Sequence, residues 1–155
     1  MKNPLWLLLG AMLLLAGCDS MSSRMTERFT TVPPHSRTFA ADRRTVYFAA
    51  QAAVKKAGLF LSRSSVADWS VEGYAPIRAS TETSDARQTT IAIKLSETDD
   101  LQTKVDVLVW NQTEGSFPGG VSATALKEHS LYESYFAALQ QILQENGSLK
   151  PGEKP

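Results

Sequence analysis

The sequence has little of what most catalytic and nucleic-acid-binding proteins rely on. Its 155 residues include one cysteine and two histidines. A single cysteine excludes an internal disulfide framework and any structural zinc site built on several thiolates. The histidines, His35 and His129, lie far apart in the chain, and no Ser-His-Asp or metal cluster is found to build from them. Charge of one sign is also missing, with 16 Lys and Arg against 16 Asp and Glu. Phosphate-driven affinity needs clustered surplus cations, which speaks against nucleic acid as a partner. The stretch Gly115-Ser116-Phe117-Pro118-Gly119-Gly120 is rich in glycine, but it lacks the Gly-Lys-Ser/Thr of a phosphate loop and does not sit between a strand and a helix. No cofactor and no catalytic residue is therefore assigned.

What is present begins at the N-terminus. Lys2 is followed by an apolar run from Leu5 to Gly17 and then by Cys18-Asp19-Ser20. As a helix, thirteen residues rise only about 20 Å, short of the ~30 Å hydrocarbon core of a bilayer. A basic start, a short apolar middle and small residues before a cut site describe an export signal over residues 1–17. Its removal takes Lys2 away and leaves 15 basic against 16 acidic residues.

Leu15-Ala16-Gly17-Cys18 resembles the lipobox of bacterial lipoproteins. The resemblance implies cleavage before Cys18, a diacylglyceryl thioether on its sulfur and acylation of the new N-terminus. Each buried methylene contributes about 0.8 kcal/mol, so two or three chains hold durably where one holds transiently. The partner implied is membrane lipid. Asp19 resembles the residue that retains such proteins at the inner membrane in enteric-type bacteria, with the periplasmic leaflet of the outer membrane as the alternative.

Residues 18–41 read as a lipidated terminus and tether, rich in Ser, Thr and Arg with Pro33-Pro34 and no apolar period. One domain is expected over residues 42–147, followed by a polar, disordered tail over 148–155. Asp42 is placed to cap a helix running to Ala57, with Gly58 as its stop. Val46, Ala49, Ala50, Ala53, Val54 and Ala57 line one side of that helix, leaving Arg43, Arg44, Lys55 and Lys56 to water. Alternation then predicts strands near Leu59–Leu61, Ala67–Tyr74, Gln88–Leu95 and Gln102–Trp110, the last two joined by the acidic turn 96–100. That turn lacks the oxygen array and glycine of an EF-hand, and no metal is assigned to it. Ser130 and Glu133 match a capping box opening a final helix, stopped by Asn146-Gly147.

This order predicts an α+β two-layer sandwich, a three- to four-stranded mainly antiparallel sheet with two helices on one face. It loosely resembles small periplasmic lipoprotein domains, including those of outer-membrane assembly lipoproteins, through element order alone. The expected role is a non-enzymatic accessory or interaction module of the cell envelope, facing the periplasm and contacting a protein partner. Phe117, at the tip of the Gly-rich stretch, is the candidate partner contact. The alternative is a ligand-binding or enzymatic domain with a site between sheet and helices.

Overall fold

The computed structural model describes residues 32–76, 87–98, 100–114 and 121–149. Asp42 accepts a 2.9 Å hydrogen bond from the Thr45 backbone N–H and opens α1 (Arg43–Lys56). At the other end Gly58, at φ 79°, lets its own N–H reach the Lys55 carbonyl while the Leu59 N–H reaches that of Val54. The helix thus closes with its last carbonyls satisfied, as a left-handed glycine permits. Hydrogen bonds from the Thr45 side chain and then its backbone N–H hold the Asp42 carboxyl below its ordinary value. A lowered folded value means the cap's stabilisation is complete above the unfolded value and is lost as pH falls through the folded one. Asp42→Ala is expected to cost about 1 kcal/mol at neutral pH. In urea titrations this difference should narrow as pH falls through the Asp42 titration; a difference independent of pH would contradict the assignment.

The described residues contain a six-stranded antiparallel sheet rather than one of three or four strands. Four of the strands are β2 (Phe60–Ser65) at one edge, β3 (Ser70–Tyr74), β4 (Arg87–Glu97) and β5 (Thr103–Glu114). Two more, β1 (His35–Phe39) and β6 (Val121–Ala125), both pair with β5, giving the order β1-β5-β4-β3-β2 with β6 beside β5. Strand β1 falls within the stretch expected as tether, and β6 follows directly on the Gly-rich stretch. Their inward positions explain why neither was expected. Strand β1 presents His35 and Arg37 before its one apolar residue, Phe39, and β6 is a short run of Val, Ser, Ala and Thr. Neither gives the Val/Ile-rich alternation that marks a strand.

Register explains the core. Gly73, Ile91 and Val109 align across β3, β4 and β5, as do Val71, Ile93 and Val107, while Leu95 aligns with Val105. Their side chains share the face covered by α1 and by α2 (Ser130–Glu145), which supplies Leu131, Tyr135, Phe136, Leu139, Ile142 and Leu143. Each fully buried Val, Leu, Ile or Phe contributes about 1.5–3 kcal/mol. The opposite face is not wholly polar, since Ala92, Leu108 and Trp110 are buried there too.

Helix α2 starts as expected but is capped differently. His129 occupies the cap, its Nδ1 accepting from the Leu131 N–H at 3.2 Å, and Ser130 is the first helical residue. An imidazole nitrogen here serves as the acceptor expected of the serine hydroxyl. At the other end Gly147, at φ 70°, turns the chain so that the Ser148 and Leu149 N–H groups both reach the Leu143 carbonyl. Leu149, placed in the tail by sequence, is buried against the core.

Candidate functional site

Strand β5 is too long for one partner on its outer edge. Residues 103–107 pair with β1 and residues 110–114 with β6, so the two short strands lie end to end with a gap between them. At that gap the Leu126 N–H donates to the Val109 carbonyl at 2.8 Å, but the Val109 N–H has no strand to meet. The Tyr132 hydroxyl fills the place, accepting from the Val109 N–H at 2.9 Å and donating to the Leu126 carbonyl at 2.7 Å. Helix α2 therefore completes the ladder with a side chain.

The first residues of β1 hold the same helix from the other side. The His35 ring stacks on Tyr132, with centroids 3.8 Å apart and planes 14° from parallel. Its Nε2 lies 2.7 Å from the Lys127 carbonyl, which fixes a proton on that nitrogen. Arg37 places its guanidinium 4.6 Å from the centre of the Phe136 ring and 2.7 Å from a Glu133 oxygen. Burial raises the Tyr132 phenol above its ordinary value, the Val109 hydrogen bond opposing, so near neutral pH it is a proton donor rather than a base. Burial pushes the Tyr135 phenol up still further. Chemically, this junction is a clasp between strand and helix.

A second constellation lies where β3 begins and β4 ends. Trp69 has φ 49°, a left-handed conformation that a bulky side chain adopts only when its surroundings hold it there. The Arg43 guanidinium stands 4.3 Å over its ring, Tyr47 meets it edge-on at 5.7 Å, and Arg43 reaches Glu97 at 3.6 Å. The nearby hairpin tip carries Val66, and the turn between β4 and β5 carries Leu101, also left-handed at φ 57° and 77% exposed. Phe48 on α1 and Phe60 on β2 are likewise exposed, Phe60 lying beside Tyr74 with ring centroids 5.6 Å apart. These arrangements offer surfaces for contact.

Cys18, Asp19 and Phe117 all lie outside the described residues. Among the described residues no three His, Cys, Asp or Glu side chains are grouped as a metal ion requires. Nor, among them, is any helix long and apolar enough to cross a membrane. His35 and His129 are not brought together; one stacks on Tyr132 and the other caps α2. Sequence reasoning missed the Tyr132 junction and the exposed Phe48. For Phe48 a signal existed, because it lies opposite the apolar stripe of its own helix.

No family model matches the chain, and no curated protein matches it. Among solved structures it is similar to a TBP-like protein from Parabacteroides distasonis ATCC 8503, with a TM-score of 0.37 and 11% identity over 71% of this chain and 91% of that one. A DUF4468 family protein from Bacteroides ovatus ATCC 8483 gives a TM-score of 0.34 and 10% identity over 78% of this chain and 88% of that one.

Proposed function

We propose that the chain is a bacterial lipoprotein, held to a membrane by acyl chains on Cys18, whose α+β domain serves as an interaction module on the periplasmic side of the cell envelope. The observation that carries this reading is Leu15-Ala16-Gly17-Cys18, ending a short apolar run and containing the chain's one cysteine. Asp19 directs retention at the inner membrane. Phe117 is the proposed contact for an envelope protein partner.

Cys18→Ala should leave an uncleaved precursor or redistribute the protein among cell fractions. A correctly shortened product still retained in the membrane would refute the reading. Asp19→Ser should move the anchored protein toward the outer membrane, and an unchanged distribution would remove Asp19 from the sorting argument.

A further inference from the structure

Helix α1 carries two stripes. Val46, Ala50, Ala53 and Val54 face the sheet, whereas Arg44, Phe48, Gln51 and Lys55 recur at i, i+4, i+7 and i+11 along the opposite side. Phe48 sits in the middle of this outer stripe and is 55% exposed, its ring touched edge-on by Tyr47. Within residues 43–56 there are four basic residues and no acidic one.

Two of the four cations are engaged, Arg43 with Glu97 and Trp69, and Lys56 with Glu145. Arg44 and Lys55, the two in the outer stripe, make no ion pair among the described residues. Arg44 stands in the first turn, two residues after the capping carboxylate of Asp42. The acidic residues of α2 do not neutralise this stripe, since Glu133 is held by Arg37 and Glu145 by Lys56.

We infer that the outer side of α1 lies flat on an anionic lipid surface, with Phe48 entering the boundary between headgroups and acyl chains and Arg44 and Lys55 meeting lipid phosphates on either side of it. The inference rests on the proposed anchoring at Cys18. Arg44 and Lys55 are roughly 16 Å apart along the axis, so both reach one plane when the helix is parallel to it. Sixteen residues separate Cys18 from His35. A chain of that length reaches at most roughly 55–60 Å when fully extended, so covalent length permits this side to meet the bilayer. Two cations and one ring bind weakly by themselves. The anchor raises the effective concentration to the millimolar range, where weak contacts decide orientation.

The test uses the full chain, purified with its N-terminus and reconstituted into vesicles of phosphatidylcholine, with or without phosphatidylglycerol. The photoreactive p-benzoylphenylalanine replaces either Phe48 or, on the exposed side of α2, Ala137. Flotation establishes anchoring first, and mass spectrometry then identifies lipid adducts. Position 48 should label lipid severalfold more than position 137 when phosphatidylglycerol is present. Labelling should fall severalfold in its absence, and also when Arg44→Gln and Lys55→Gln are combined, with the melting temperature unchanged. Equal labelling at the two positions, indifference to phosphatidylglycerol, or a protein adduct at position 48 in intact cells would overturn the inference while leaving the anchor intact. A chain that fails to float would overturn both.

Discussion

Tyr132→Phe lowers the stability of the domain by about 1–3 kcal/mol, although it removes one oxygen atom and leaves the ring in place. The hydroxyl is the partner of two backbone groups at once, the Val109 N–H and the Leu126 carbonyl, at the break between β1 and β6. Without it a donor and an acceptor are left in a buried place, and the penalty is that of desolvating them. Tyr132→Ala also loses the ring that stacks on His35 and should cost about 3–5 kcal/mol, the range for deleting a buried aromatic side chain. Urea denaturation measures both, and the Val109 amide supplies a local readout. Its hydrogen exchange should accelerate in Tyr132→Phe more than that of Val107, which lies within the β1–β5 ladder. Equal stability of Tyr132→Phe and wild type would show that the hydroxyl is not holding the junction.

Gly73→Ala is the second large effect, expected at about 1–3 kcal/mol from overpacking. A methyl at residue 73 would lie 2.6 Å from Val54 Cγ1, 3.1 Å from the Phe60 carbonyl oxygen and 3.4 Å from Ile91 Cγ2. Val54 is fully buried in α1 and Phe60 is hydrogen-bonded in the β2–β3 ladder, so neither yields readily. The small residues of α1, Ala49, Ala50 and Ala53, permit the same close approach of helix to sheet. Val54→Ala removes the methyl that clashes. The double variant Gly73→Ala with Val54→Ala should therefore be more stable than the sum of the single effects predicts. Strict additivity in a double-mutant cycle would place the penalty elsewhere.

These two positions illustrate which parts of the fold can be read along the chain. Periodicity locates α1, α2, β4 and β5 because their inward residues are largely Val, Ile, Leu and Ala at regular spacing, whereas β2, Phe60–Ser65, extends through polar residues well past the expected Leu59–Leu61. Strand β1 is different, since its inward residues His35 and Arg37 are polar side chains whose ring or guanidinium lies flat on Tyr132 or Phe136. Until α2 is in place, nothing marks them as half-buried. Strand β6 has too little apolar area to stand out, and it becomes a strand through the free edge of β5. The return of Leu149 depends on Gly147 and on a carbonyl that only the end of α2 offers. The His129 cap is a local event, but an imidazole acceptor is outside the usual cap vocabulary of Ser, Thr, Asp and Asn.

The candidate functional residues divide the same way. The roles proposed for Cys18 and Asp19 rest on contiguous sequence alone, because signals for export and acylation are short linear segments. Phe48 was legible in principle from the helical period, as the aromatic residue on the wrong side of α1. The Tyr132 junction was not, because it requires three strands and a helix to meet.

Mass spectrometry of the N-terminal peptide from protein extracted from its native membrane tests the central claim most directly. The peptide is expected to begin at Cys18 and to carry a diacylglyceryl group on sulfur with a further acyl chain on the amine. A peptide containing an unmodified Cys18 thiol would contradict it.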